Sequence, residues 1–185
     1  MDDHRLVKDC LRGQAAAQRQ LYDRFASPML AVCYRYTKSV ADAEDVLQEA
    51  FVKVFKNLEQ YKGDGEVGAW IRRIVVTTAI NYLKKNSRYN SELVFGEEHL
   101  HAISSYQPQI NLEAKELADL IRQLPSGYQT IFNLYAVEGY NHIEIGKILG
   151  IQEGTSRSQY ARARALLIQW IEQKNRDYKT TAYAR

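Results

Sequence analysis

Residues 139–164 read GYNHIEIGKILGIQEGTSRSQYARAR. Asn141 can cap a short helix over 142–149, because its side-chain oxygen can accept from an unpaired amide of the first turn. Gly150 suits a tight turn, and a second, longer helix opens at Glu153. A short helix, a three-residue turn and a longer helix make a helix-turn-helix pattern. Ile145, Leu149 and Ile151 are spaced to pack the two helices together. On that register Arg157, Ser158, Gln159 and Arg162 are expected on the outer face of the second helix. Arg can bond guanine bidentately, Gln can bond adenine, and Ser can bond bases or phosphate. The competing reading of the same residues is a helical hairpin with a solvated basic face.

Outward from this stretch the apolar period stays helical. Leu6, Cys10 and Leu11 predict a first helix ending near Gly13, and residues 15–36 a second, in which Pro28 should kink or break the chain. Ser39 to Asp42 resembles a helix start, and Val46, Leu47, Ala50, Phe51, Val54, Phe55 and Leu58 then recur at steps of three and four. Residues 62–66 form a glycine-containing loop, and helix returns over 68–85. Periodicity fails over 88–111, where polar residues dominate and Pro108 sits near the end. Such a length is long for a loop inside one domain and marks a boundary. Beyond it, helices are expected over 112–124 and 126–137, separated by Pro125, and the last from Glu153 to about 173, before a frayed polar tail. The chain is thus expected to be all-α: two small helical domains (1–88 and 112–175) joined by a linker (89–111), with a tail at 176–185.

Charge is distributed unevenly along the 185 residues, although the net charge is only +3. Residues 1–90 hold 15 bases and 11 acids, 91–115 hold 1 and 4, and 116–185 hold 9 and 7. No acid occurs over 67–91, where Arg72, Arg73, Lys84, Lys85 and Arg88 fall, nor over 155–167. Bases gathered on particular helices point to a polyanion partner. In the first of these segments Tyr61, Trp70 and Tyr82 interleave with the cations, a combination suited to unpaired bases and their phosphates. By burial preference Trp70 reads as a core anchor ahead of a stacking platform. Asp42, Asp45 and Glu49 form an acidic stripe on one helix. Such a stripe repels phosphate, so it is either a protein-docking face or a solvated one.

Composition excludes several classes. At 45% hydrophobic and 25% charged, the chain has material for a core and is not globally disordered. It has no apolar run of membrane-spanning length and no secretory leader pattern, so no direct membrane insertion is expected. Two cysteines outside any CxxC fit reduced thiols in the cytoplasm. Glu97, Glu98, His99 and His101 carry metal-ligand side chains but lack an HExxH or a second pair at helical spacing. No phosphate loop or activated nucleophile is evident. The expectation is a protein that is not an enzyme, with no metal and no cofactor.

Taken in order, these segments resemble bacterial RNA polymerase sigma factors of the extracytoplasmic-function class. Residues 42–51 resemble that family's core-polymerase-binding segment. Phe55, Leu58, 61–63 and 70–74 resemble its promoter-melting and −10-reading segment. Leu124-Pro125, 138–140, 144–145, 149–151, 153–156 and 162–164 resemble its −35-reading domain. The resemblance implies that the chain directs core RNA polymerase to promoter DNA. Asp42, Asp45, Gln48 and Glu49 would dock on core polymerase. Tyr61, Lys62, Arg72, Arg73, Thr77, Asn81, Lys84 and Lys85 would engage the −10 element, and Arg157, Ser158, Gln159 and Arg162 the −35 element. It implies regulation by an anti-sigma factor and a cytoplasmic location. Thr77 stands where the family often has Asn, and one hydroxyl cannot make an amide's paired contacts. Gly146 stands where Ala is common, which should cost about 0.5–1 kcal/mol within a helix. A stand-alone helix-turn-helix regulator is the alternative, but it leaves the acidic stripe and the residue 61–85 segment without a task. The linker suits the resemblance: some 24 residues reach about 80 Å extended, against about 54 Å between promoter elements.

Overall fold

The computed structural model describes residues 3–85 and 114–183, with side chains of 3–85 and 116–176. The expected linker and the residue 97–101 cluster lie outside them. Two compact units separate, Met1–Asn86 and Ser87–Arg185. Among the described residues all regular structure is helical.

The first unit holds α1 (Asp3–Leu11), α2 (Ala15–Tyr34), α3 (Val40–Lys56), a 3₁₀ turn (Leu58–Gln60) and α4 (Val67–Lys85). Helix α2 packs on α1, α3 and α4, and α3 packs on α4. Leu6, Leu21, Cys33, Val46, Val54, Ile71 and Val75 fill the space between them. Ser39 starts α3 as anticipated: the Asp42 amide donates to Ser39 Oγ at 3.0 Å. The β-branched run 75–78 is helical because Val75, Val76 and Thr78 fall on the buried face of α4. Pro28 does not break α2, which runs as one helix across it. The ring lies on the exposed face, and one missing amide is outweighed by the buried Leu21, Met29, Val32 and Cys33 on either side.

The second unit holds α5 (Ala114–Gln123), α6 (Ser126–Phe132), a π turn (Asn133–Val137), α7 (His142–Leu149) and α8 (Glu153–Tyr183). The expected helix over 126–137 therefore changes pitch midway, the Glu138 amide bonding Asn133 O at 2.9 Å. Leu120, Ile121, Leu124, Tyr128, Ala163, Leu167 and Ile171 form a core joining α5 and α6 to α8. Helix α8 does not stop near residue 173 but runs to Tyr183. The segment after 173 contains neither Gly nor Pro, so nothing in it breaks the hydrogen-bond ladder.

Asn141 caps α7 in a reciprocal capping box: the Glu144 amide donates to Asn141 Oδ1 at 2.9 Å, and the Asn141 amide donates to Glu144 Oε2 at 2.8 Å. Gly150 closes the helix at φ 74°, left-handed backbone that glycine adopts without penalty. Gly146 proves to be more than a weak helix former. A Cβ there would lie 2.8 Å from the Ile151 carbonyl oxygen, a backbone atom of the turn. Glycine thus lets the turn fold back onto α7. Gly146→Ala is expected to destabilise the second unit, because overpacking costs about 1–3 kcal/mol and exceeds the propensity gain. Thermal unfolding followed by circular dichroism checks this; an unchanged or raised midpoint would show that the turn relaxes freely.

Candidate nucleic-acid and polymerase interfaces

The first unit carries a groove of about 450 Å³ between α3 and α4. One wall presents Lys53, Asn57 and Gln60; the other presents Trp70, Arg73, Ile74, Thr77, Thr78 and Asn81. Arg73, Thr77 and Asn81 are four residues apart, so α4 aligns them on one stripe. All three are exposed. Thr77 Oγ donates back to the Arg73 carbonyl at 2.8 Å, so its proton is engaged within α4 and its oxygen can act only as an acceptor. Asn57 Nδ2 donates to the Lys53 carbonyl at 2.8 Å, and Gln60 Nε2 donates to Asn57 Oδ1 at 3.0 Å. The two amides that follow α3, at its end and in the 3₁₀ turn, thus form a linked pair that composition alone did not single out.

Trp70 is half-buried and borders the groove rather than filling the core. Its ring lies 5.7 Å from that of Tyr61, whose hydroxyl donates to the Gly65 carbonyl at 2.6 Å and closes the 61–66 loop. Lys62 is exposed on that loop, Lys85 is exposed at the end of α4, and Arg72 and Lys84 are half-buried. Tyr61, Lys62, Arg72, Lys84 and Lys85 are not among the groove-lining residues. The −10 set therefore resolves into a groove group (Arg73, Thr77, Asn81) and an outlying group.

Along α3, Asp45, Gln48 and Glu49 are exposed together, with Val52, itself 52% exposed, one turn further on. Asp42 differs from them. Its Oδ1 accepts from Tyr82 Oη at 2.6 Å and its Oδ2 from Ser39 Oγ at 2.7 Å. Tyr82 and then Ser39 hold the Asp42 carboxyl below its ordinary range, while the same bond, with burial, pushes the Tyr82 phenol up to about 12. Asp42 thus braces the Ser39 cap of α3 and ties that helix to α4. Lys53 Nζ donates to Glu49 Oε1 at 2.7 Å, and this bond keeps the Glu49 carboxyl ionised to lower pH; burial opposes it in part, and the charges of Lys53 and Lys85 add to it.

In the second unit Arg157 and Ser158 are exposed on α8. Arg157 Nε donates to Glu153 Oε1 at 2.9 Å, one turn back. Gln159 is not on the outer face: it is 3% exposed, in line with the buried Ser156, Ala163 and Leu167. Spacings of three, four and four place that line toward the core. The buried Ala163 and Leu167 were the signal for it, read backwards along the helix. Arg162 is half-buried on the flank. Arg164, outside the expected −35 set, is exposed two turns from Arg157 on the same face.

The two helices of this motif are joined by a buried polar contact. His142 Nδ1 and Ser156 Oγ lie 2.9 Å apart, and the imidazole stacks on Tyr135 at 4.3 Å with 9° between planes. Tyr160 closes against both rings. Burial, then the charge of Arg157, holds the His142 pKa below its ordinary 6.5, and Glu153 opposes this in part. The folded form refuses a proton that the unfolded chain accepts below 6.5. The stabilisation is therefore complete above 6.5 and is lost as pH falls through that value toward the lower folded pKa. The melting temperature of the second unit is expected to drop between about pH 7.5 and pH 5.5, and to drop less in His142→Phe. Equal drops in both would show that another group is responsible.

Two helical units, one with a polar-aromatic groove and the other with a helix-turn-helix whose second helix exposes arginines, define a protein of the DNA-binding transcription class. The family models for Sigma-70 region 2 and Sigma-70, region 4 match residues 21–89 and 114–167. The chain is 30% identical over 175 residues to the ECF RNA polymerase sigma-E factor of Escherichia coli, covering 89% of this chain and 91% of that one. It is 29% identical to the ECF RNA polymerase sigma factor SigW of Bacillus subtilis, over 87% and 92% of the two chains. It is 27% identical to the sigma-E factor of Haemophilus influenzae, over 90% and 94%. A solved sigma factor RpoE, in complex with the anti-sigma factor NepR from Bartonella quintana, shares the fold at a TM-score of 0.51 and 17% identity, over 83% of this chain and 96% of that one. The chain belongs to the extracytoplasmic-function RNA polymerase sigma factors, transcription initiation factors that direct core polymerase to promoters. No described helix is long and apolar enough to cross a membrane.

Proposed function

We propose that the chain divides promoter recognition between its two units. Helix α8 enters the major groove of the −35 duplex, where Arg157 and Ser158 meet base edges while Arg162 and Arg164 reach phosphates. The α3–α4 groove receives a melted −10 strand: Arg73 neutralises phosphate, Trp70 offers an aromatic face, and Thr77 and Asn81 contact the base. Lys62 and Lys85 extend the cationic path, with Tyr61, Arg72 and Lys84 shaping its margins. Asp45, Gln48 and Glu49 dock on a basic surface of core polymerase in the cytoplasm, and Asp42 holds α3 in place for that contact. An anti-sigma factor restrains the protein. It carries out no covalent chemistry of its own, since RNA synthesis belongs to the polymerase.

The observation that carries this reading is the placement of the acidic stripe and the groove on neighbouring faces of α3. One helix then meets a basic protein surface and a polyanion at once, an arrangement of no use to a protein that binds duplex DNA alone. Affinity purification of the tagged chain from its own cell extract is expected to recover core polymerase subunits in stoichiometric amount. Recovery of a homodimer on duplex DNA without polymerase would instead support a stand-alone regulator.

A further inference from the structure

The acidic stripe and the groove share one ion pair. Lys53 Nζ reaches Glu49 Oε1 at 2.7 Å, on the docking face, and Thr78 Oγ1 at 3.3 Å, in the groove wall. The two charged side chains are 36% and 43% exposed, so neither is locked in place by packing. Thr78 is buried and fixed by its helix. Lys53 is therefore an ammonium anchored at the groove and turned toward a carboxylate at the groove's lip. That carboxylate opposes an entering phosphodiester twice, by engaging the Lys53 charge and by repelling phosphate directly.

We propose that Lys53 is a promoter-strand phosphate contact held in check by Glu49, and that docking of Glu49 on polymerase releases it. This rests on the reading of the groove as the −10 strand site and of α3 as the docking helix. Lys53 suits the task because an ammonium on a flexible stem can turn from one anion to another without a backbone change. The pair is exposed and spaced i, i+4, so exchange of its partner costs little. Core binding and strand capture are then linked through a single side chain, and the protein without polymerase holds single strands weakly.

The test uses the full-length chain without polymerase and a fluorescently labelled oligothymidylate of about twenty nucleotides, with anisotropy read across a salt series. Glu49→Gln is expected to bind roughly two- to five-fold more tightly, the factor an exposed ion pair supplies. The salt dependence should steepen by about 0.7 in logarithmic slope, one added phosphate contact. Lys53→Met in the Glu49→Gln background should cancel the gain. Arg73→Ala is the control for the groove itself and should weaken binding in every background. Loss of the Arg73 effect would overturn the groove reading and the proposal with it. If Arg73→Ala weakens binding but Glu49→Gln brings no gain, the proposal alone is overturned. The same holds if the gain persists without Lys53, since Glu49 would then act by repulsion only.

Discussion

Reversing Asp45 and Glu49 to lysine together is expected to lower affinity for core polymerase by at least about a hundredfold. Like charges brought together in an interface cost several kcal/mol, and about 2.7 kcal/mol corresponds to a hundredfold. Both side chains are exposed, so their replacement removes no core contact. Breaking the Glu49–Lys53 pair should cost the helix only about 0.3–0.5 kcal/mol. Circular dichroism should accordingly be unchanged while holoenzyme formation, followed by native electrophoresis or interferometry, fails. Asp42 should behave differently. Asp42→Asn weakens the bonds to Ser39 and Tyr82 and should lower thermal stability before it affects polymerase. Undiminished polymerase binding by the Asp45/Glu49 double reversal would mean that the stripe is a solvated face.

Arg157→Ala should relax base preference at one −35 position, at a cost of about 1–3 kcal/mol for a lost bidentate contact. In the protein by itself Arg157 bonds Glu153, and it must leave that partner to reach a base. Lys85→Ala should instead weaken all promoters about equally and reduce the salt slope by about one unit. Gln159→Ala supplies the contrast. Because Gln159 is buried beside Ser156 and Ala163, its loss should destabilise the second unit by about 1–3 kcal/mol and leave base preference intact. The measurement is holoenzyme binding to a promoter library at several salt concentrations. A uniform loss from Arg157→Ala, or a changed base preference from Gln159→Ala, would reverse the assignment of inner and outer faces on α8.

What could be read before the fold was known depended on range. The helix-turn-helix rests on local signals, Asn141 as a cap and the glycine at 150, and both appear in the structure as read, with the reciprocal bond from Glu144 added by the fold. The helical character of 75–78 was legible because apolar residues at steps of three and four surround it. Pro28 does not end α2 because the cost of one missing amide is local, while the burial that outweighs it comes from α1, α3 and α4. Gln159 misled through its chemistry: an amide suits adenine, but the register counted back from Leu167 and Ala163 turns it inward. Asp42 was read with its acidic neighbours because its partner, Tyr82, lies forty residues away. Lys53, Asn57 and Gln60 carry no motif of their own and join the site only because α4 packs along α3. The role of Gly146 likewise depends on a backbone oxygen five residues on, beyond what helix propensity can register.

The central claim is that this chain gives core polymerase its promoter choice, and run-off transcription tests it most directly. Purified core polymerase, supplied with the full-length chain and fragments of the chain's own genome, is expected to start RNA at a discrete set of sites sharing a −35 and a −10 element. Asp45/Glu49 reversal should silence all of them, and Arg157→Ala should alter which are used. Core polymerase whose start sites are the same with and without the chain, over a range of chain concentrations that saturates binding, would contradict it.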